Sequence, residues 1–273
     1  MIKITNENFS LAQICQSGQC FRMEELSENR FQLISGGNYL EAKQEGKEIL
    51  FFCSEEEFGQ IWKEYFDLDR DYKAVIAGVD PEDEYLRNAA AFGSGIRILK
   101  QDIWEMIISF IISQQNNITR IRRCIRRICE TYGQERKAEN GVVYRAFPEP
   151  ERLAGASIEE LFGCNLGYRS RYVKETAGSI AAGELDLKKL PAMGYEEARK
   201  ELLKLRGVGE KVADCICLFA LHHMDAFPKD THINQALARQ YAEGFPFSRY
   251  SGTAGILQQY IFYYELYHTY PQV

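Results

Sequence analysis

The stretch that decides the fold is residues 202–232, LLKLRGVGEKVADCICLFALHHMDAFPKDTH. It holds an apolar helix end, the turn Arg206-Gly207-Val208-Gly209, and an apolar run from Glu210 to Leu221. This order predicts two helices joined by a glycine turn. Glycine adopts backbone angles closed to other residues and allows a partner to come close to the backbone. Because a glycine turn that opens a helix presents unpaired N–H groups, Gly207 and Gly209 suit a phosphate.

Lys211 stands in the first turn of the second predicted helix, among apolar residues. Burial and the positive end of the helix both disfavour its cation, so we expect an amine that can act as a nucleophile and form a Schiff base. Cys215 follows one turn later on the same face. Asp230 is predicted to cap a third helix, Thr231 to Tyr241. Spacing alone leaves two alternatives open: Lys211 is a solvated surface residue, and Asp230 is only a helix cap.

Composition places the chain among ordinary globular proteins. Its 273 residues are 45% hydrophobic and 26% charged, enough for two or three packed units. No apolar run approaches the roughly 18–20 residues that span a bilayer, and residues 1–10 lack a signal-peptide pattern. Eight cysteines form no paired framework, and Cys215-x-Cys217 lacks the second pair that zinc requires. We expect no membrane association, and a cytoplasmic location, or a nuclear one if the source is eukaryotic.

The charge distribution is uneven. A net charge of −6 argues against phosphate binding, but five arginines and no acid lie between Thr119 and Cys129. Arg169, Arg171 and Lys174 form a second acid-free cluster. We predict a basic face on an acidic body. The alternative is a set of solvated helix faces.

The pattern Leu205-x-Gly207-x-Gly209-x-Lys211-x-Ala213, followed after 14 residues by Pro228-x-Asp230, resembles the helix-hairpin-helix glycosylase signature. The string from Gly209 to Cys217 narrows the resemblance to the 8-oxoguanine DNA glycosylase/AP lyases. It implies that Lys211 is the nucleophile and that Asp230 is catalytic as well as a cap. Arg206 departs from the family, which commonly has proline there. No cysteine follows Cys217, so the iron–sulfur cluster of some related glycosylases is not expected.

The resemblance also assigns a lesion pocket. Ser17-Gly18-Gln19-Cys20-Phe21-Arg22 is similar to the first base-contact loop, in which the carbonyl of Gly18 accepts the N7 hydrogen that distinguishes 8-oxoguanine from guanine. Gln258 is placed at the Watson–Crick edge of the flipped base, with Phe262 against one face and Cys215 against the other. Without the family, Gly18 is a turn glycine and Phe262 belongs to a core stripe.

A further set of residues is assigned to DNA by the same resemblance. Residues 115–120 are similar to the segment that fills the space left by the flipped base, and Tyr168 to the wedge that supports the kink. Gln115 stands where the family has asparagine, which weakens the expectation of strict cytosine preference. The predicted DNA contacts are Gln115, Asn116, Arg120, Tyr168, Arg169, Gly207, Gly209 and His232. The backbone carbonyls of Leu203, Leu205 and Val208 are predicted to hold a structural monovalent or divalent cation.

The predicted fold class is α+β. An antiparallel sheet with a helix, residues 1–80, precedes a helical glycosylase region, residues 81–273, with two helical subdomains, the active site in their cleft and the helix-hairpin-helix at about 196–222. Strands are predicted at Cys20–Met23, Arg30–Ile34, Tyr39–Ala42, Ile49–Cys53 and Val142–Tyr144. Helices are predicted at Phe58–Phe66, Pro81–Phe92, Ile103–Ser113, Ile118–Tyr132, Arg171–Ala182, Tyr195–Leu205, Glu210–Leu221, Thr231–Tyr241 and Thr253–Tyr267.

The predicted function is excision of 8-oxoguanine from duplex DNA by a monomeric glycosylase/AP lyase that needs no cofactor for its chemistry. Two alternatives stay open. The first is a DNA-binding protein that keeps the hairpin without chemistry, which the presence of both Lys211 and Asp230 disfavours. The second is a glycosylase of the same superfamily for another damaged base, such as an alkylated one.

Overall fold

The structure is a computed structural model that describes residues 1–268; the last five residues of the predicted helical region, 269–273, lie outside it. The predicted order of an antiparallel sheet followed by helices is confirmed. Five strands pair in the order β1-β5-β4-β3-β2 with antiparallel neighbours. Their bounds are β1 Ile2–Thr5, β2 Met23–Ser27, β3 Arg30–Ser35, β4 Asn38–Glu45 and β5 Glu48–Phe51.

The sheet region corrects three expectations. Strand β1 and helix α1, Leu11–Gln16, are additional elements; α1 has six residues, too few for helical periodicity, and Ser10 caps it. Strand β2 begins at Met23, where the expected strand ends, because the residues before it form the loop that enters the active site. The expected helix Phe58–Phe66 is instead a π-helical turn, Phe58–Trp62, followed by α3, Lys63–Tyr65, and a short helix α2, Glu55–Glu57, precedes it.

Residues 72–132 contribute four helices, α4 Tyr72–Ala77, α5 Glu84–Phe92, α6 Ile103–Ser113 and α7 Ile118–Tyr132. Helix α5 is expected to start at Pro81 but starts three residues later, because the Asp83 side chain accepts from the Leu86 N–H and caps the helix there. Helix α6 has the predicted bounds, begins after the N-cap Asp102, and is buried along nearly its whole length. Helix α7 also has the predicted bounds, with Asn117 as its N-cap.

The rest of the chain is helical apart from a small hairpin, β6 Glu135–Lys137 and β7 Val143–Arg145. Its α-helices are α8 Pro150–Gly155, α9 Ile158–Gly163, α10 Arg169–Ala181, α11 Tyr195–Leu202, α12 Glu210–Phe219, α13 Thr231–Gln240 and α14 Ala254–His268. Apart from Phe58–Phe66, the predicted helices form with ends shifted by no more than three residues. None of the helices described within residues 1–268 is long and apolar enough to cross a membrane.

Two buried polar side chains join the sheet to the helices. The Arg97 side chain is fully buried, lies 4.1 Å above the Tyr72 ring, and donates to four backbone carbonyls between residues 8 and 70. Gln19 donates to the carbonyl of Arg97 and accepts from the N–H of Leu99. These bonds fix the loop that contains Gly18 against the helical region, which positions it at the cleft.

Candidate active site

One cavity of about 1230 Å³ collects most of the residues that the sequence singles out. It is open to solvent on one side and lies between the loop after α1, the start of α7, the hairpin helix α12, the start of α13 and helix α14. The predicted site residues that line it are Gly18, Gln115, Asn116, Arg120, Lys211, Cys215, Asp230, His232, Gln258 and Phe262. Residues as far apart as 18 and 262 thus meet at one place.

Lys211 is half-buried in this cavity. Its Nζ lies 3.5 Å from the Ser113 hydroxyl and 5.3 Å from the centre of the Phe110 ring, both on α6. Gly209 caps α12 without a side chain, so the first-turn N–H groups of this helix have no side-chain cap. The amine is therefore held in a partly desolvated position at the positive end of a helix.

Asp230 is both a cap and a cavity residue. Its Oδ1 accepts from the Ile233 N–H at 2.8 Å, which starts α13 as predicted. Lys211 and Asp230 both act electrostatically on the Cys215 thiol, so the amine, the carboxylate and the thiol converge. Burial nevertheless raises the pKa of Cys215 to about 11. The thiol therefore stays protonated at neutral pH and does not compete with the lysine as a nucleophile.

The far wall of the cavity is suited to a planar base. Gly18 has φ +76°, and a Cβ there would lie 3.1 Å from the Phe262 ring, so glycine allows the ring and the loop to touch. Gln258 is buried, and its Nε2 donates to the carbonyl of Pro228 at 3.0 Å. Its Oε1 is buried and has no hydrogen-bond partner among the described residues. That oxygen therefore lacks the donor that a buried acceptor normally has.

Three side chains that support the site were not predicted. Gln259 is buried and donates to the carbonyl of Ser17 at 2.7 Å, which holds the Gly18 loop against α14. Ser113 and Phe110 form the surroundings of the Lys211 amine. The sequence carries no signal for these contacts beyond the proximity of Gln259 to Gln258, because each joins segments far apart in the chain. His232 lies beside Phe262, with ring centres 6.3 Å apart.

The segment between α6 and α7 forms another wall. Gln115 has φ +48°, and its Oε1 accepts from the Tyr168 hydroxyl at 3.4 Å. Tyr168 is 53% exposed, as a wedge residue should be. Arg169, predicted to contact DNA, is 3% exposed and donates to the carbonyls of Gln114 and Gln115 while it lies under the Tyr168 ring. In this structure it supports the wall from beneath.

The hairpin turn lies beside the cavity. Gly207 has φ +82°, and a Cβ there would lie 2.7 Å from the Tyr172 side chain, so glycine is required by both angle and space. Its carbonyl accepts from Gln114 at 2.9 Å. Gly209 has an extended backbone, and a Cβ there would meet nothing within 4 Å. Neither its backbone angle nor packing within the chain requires glycine at 209, which leaves room for the close approach of a partner.

The described residues contain no cluster of three or more His, Cys, Asp or Glu side chains that would hold a metal ion. A cation bound by backbone carbonyls is a different arrangement. The carbonyl of Leu205 already accepts from the Val208 N–H at 3.1 Å, which curves the backbone of the turn. The cation at Leu203, Leu205 and Val208 stays a prediction.

Comparison with known proteins agrees with this geometry. A family model described as 8-oxoguanine DNA glycosylase, N-terminal domain, matches residues 1–107, and one described as HhH-GPD superfamily base excision DNA repair protein matches residues 108–244. The two matches meet inside α6, whereas our division at residue 80 follows the change from strands to helices and stays a prediction.

Individual relatives cover most of the chain. An N-glycosylase/DNA lyase of Saccharomyces cerevisiae is 32% identical over 266 residues, which are 88% of this chain and 70% of the relative. A DNA-3-methyladenine glycosylase of Bacillus subtilis is 30% identical over 179 residues, 64% of this chain and 58% of the relative. The crystal structure of a Clostridium acetobutylicum 8-oxoguanine glycosylase/lyase, in complex with double-stranded DNA containing cytosine opposite 8-oxoguanine, has a TM-score of 0.90 and 35% identity, with 96% of this chain and 93% of that chain covered.

The two family models together span both the sheet region and the hairpin region. Catalysis in this family needs no cofactor. The chain belongs to the 8-oxoguanine DNA glycosylase/lyases of the helix-hairpin-helix superfamily of base excision DNA repair proteins.

Proposed function

We propose that this protein removes 8-oxoguanine from duplex DNA and then cleaves the strand at the resulting abasic site. The convergence of Lys211, Cys215 and Asp230 in one cavity carries the proposal, because an amine and a carboxylate then line the space that a flipped nucleotide would occupy. The loop after α1, the hairpin helix α12 and α14 each contribute to the wall of that cavity.

The chemistry follows from the amine and the carboxylate. The Lys211 nitrogen bonds to C1′ of the flipped nucleotide while the glycosidic bond breaks and its electrons leave with the base. The Asp230 carboxylate stabilises the positive charge that develops on the sugar. Opening of the sugar ring gives a Schiff base, from which loss of a C2′ proton expels the 3′ phosphate and nicks the strand.

The cavity wall supports selection of the lesion. Gly18 is held in the cavity by Gln259 through Ser17, and its carbonyl is the proposed acceptor for the N7 hydrogen of 8-oxoguanine, which guanine lacks. Gln258 offers its unpaired Oε1 to the Watson–Crick edge. Phe262 and Cys215 sandwich the base. One missing hydrogen bond to a buried acceptor is enough to disfavour guanine, because an unmade buried bond costs about 1–3 kcal/mol.

The proposed DNA contacts lie on the hairpin turn and on the cavity wall formed by the segment between α6 and α7. Gly207 and Gly209 offer backbone N–H groups to a phosphate. His232 contacts a phosphate through its side chain. Tyr168 is the wedge that offsets the few kcal/mol lost on unstacking. The side chains of Gln115, Asn116 and Arg120 lie beside the opposite base, and Arg169 lies beneath them. Because Gln115 is one methylene longer than asparagine, we expect a looser preference for cytosine, measured as excision opposite each of the four bases.

Borohydride trapping tests the lysine. Wild-type protein with an 8-oxoguanine duplex should give a covalent adduct, and Lys211→Gln should give none. Lys229→Gln is the matched control, because Lys229 lines the same cavity two residues from the start of α13. Loss of the adduct in Lys229→Gln alone, or its persistence in Lys211→Gln, would refute Lys211 as the nucleophile.

A glycosylase for another damaged base is the second candidate, since the match to a 3-methyladenine glycosylase covers 64% of the chain. Single-turnover excision from duplexes with 8-oxoguanine, 3-methyladenine or undamaged guanine separates the two. We expect release of 8-oxoguanine with cleavage; release of the alkylated base without cleavage identifies the alternative. A hairpin protein without chemistry would release neither.

We also propose three properties that accompany this function. A cation on the carbonyls of Leu203, Leu205 and Val208 would rigidify the hairpin, and chelation should then weaken DNA binding without changing the excision step. The protein acts as a monomer, which light scattering checks. It works where the genome is, in the cytoplasm or, in a eukaryote, the nucleus.

A further inference from the structure

The exposed face of α7 carries three arginines that form no ion pair with a described carboxylate. Arg120, Arg123 and Arg127 are all exposed. Arg127 makes one hydrogen bond, from its Nη1 to the carbonyl of Gly163 at 3.3 Å. No acidic residue lies in the chain between Arg120 and Glu130. We call these three residues the arginine stripe.

The packing of α7 fixes the direction of the stripe. The buried residues on the other side of the helix are Ile121, Cys124, Ile125, Ile128 and Cys129. Positions 120, 123 and 127 are separated by three and four residues, so their side chains share one face. From Arg120 to Arg127 the helix rises by about 10 Å, which is roughly three base-pair steps of duplex DNA.

The stripe is continuous with the active-site cavity. Arg120 and Arg123 line the cavity, and Arg127 follows one turn beyond Arg123. The other two arginines of α7 are turned to the sheet region: Arg122 donates to the carbonyl of Cys15, and Arg126 forms an ion pair with Glu24. Two of the five arginines of this helix are therefore bound to the sheet region, although Arg122 also lines the cavity, and the three arginines of the stripe are exposed and form no ion pair with a described carboxylate.

We propose that Arg123 and Arg127 bind phosphates of the duplex arm that leaves the cleft beside the flipped nucleotide. This rests on the proposed function, since it assumes that a flipped nucleotide occupies the cavity. The guanidinium fork matches phosphate oxygens, and such contacts hold the duplex without reading its sequence. A chain with a net charge of −6 repels DNA overall, so a local group of cations next to the cleft supplies attraction where the duplex must lie.

The salt dependence of DNA binding tests the stripe. Kd for an undamaged duplex is measured by fluorescence anisotropy between 50 and 200 mM salt for wild type, R123Q, R127Q, the double variant and R126Q. Each phosphate contact contributes about 0.9 to the slope of log K against log salt. The slope should fall by about 0.9 in each single variant and about 1.8 in the double variant, so that wild type loses about 12-fold more affinity than the double variant over this range.

R126Q is the matched control, because it removes the same charge from the same helix at a position already paired with Glu24. Its slope should equal that of wild type. Unchanged slopes in R123Q and R127Q, or an equal fall in R126Q, would overturn the proposal. Single-turnover excision by wild type with saturating enzyme is measured alongside. Absence of excision in wild type would reject the proposed function, while the slopes would still judge the stripe.

Discussion

Replacement of Asp230 separates two roles that coincide in one side chain. Its Oδ1 caps α13 by accepting from the Ile233 N–H at 2.8 Å, and its charge is proposed to stabilise the sugar cation. Asparagine is as good an N-cap as aspartate, so Asp230→Asn keeps the cap and loses mainly the favourable charge at the helix start, about 0.3–1 kcal/mol. Asp230→Ala loses the cap bond as well and should cost about 1 kcal/mol more.

The two variants are expected to differ in stability but not in excision rate. Both variants lose the carboxylate charge, so both should slow base excision by a similar factor, on the order of 10²–10³, or about 2.7–4 kcal/mol in the barrier. Stability is measured by urea unfolding, excision by single-turnover kinetics with excess enzyme, and DNA affinity by gel shift, which should change by less than about twofold because Asp230 makes no predicted phosphate contact.

Comparison of the two variants gives the refutation. Should Asp230→Asn excise 8-oxoguanine within about threefold of wild type, the carboxylate would be a cap alone and the charge argument would fall. Should Asp230→Ala be slow and Asp230→Asn fast, the position of α13, rather than the charge, would govern the reaction.

Three further predictions concern buried or crowded groups. Burial raises the pKa of Glu105 to about 7 even though Arg22 lies 3.3 Å away. The Glu105 carboxyl group therefore stays protonated up to a higher pH in the folded protein than in the unfolded chain. The unfolding free energy of wild type relative to Glu105→Gln should therefore increase as pH falls from 8 to 5, by no more than about 3 kcal/mol, in urea titrations at each pH; a constant difference would contradict this. Gly207→Ala places a Cβ 2.7 Å from Tyr172 at φ +82°. The loss of DNA-binding free energy, measured in gel shifts, should exceed the loss of unfolding free energy, measured in thermal denaturation. Arg97→Met leaves four carbonyls, one buried and three partly buried, without this donor and should destabilise by about 3 kcal/mol or more, seen as a fall in Tm; an unchanged Tm would refute the role of Arg97 as the link between sheet and helices.

Several elements of the site could be predicted because their signals are local. Capping residues such as Asp102 and Asn117 start their helices within three residues, and both helices have the predicted bounds. The short helix α1 and strand β1 were missed because four to six residues cannot show a period. The start of α5 moved from Pro81 because a proline at a possible helix start competes with a better cap, Asp83, two residues later.

The sequence by itself determined the hairpin, the order of Lys211 and Asp230 and the cap of α13, since each is encoded by side chains a few residues apart. The tertiary structure alone decided which side chains surround the amine, which residue anchors the Gly18 loop and that Arg169 points inward. Ser113 meets Lys211 across 98 residues, and Gln259 meets Ser17 across 242. Such contacts depend on how whole helices pack against each other, which no local pattern records.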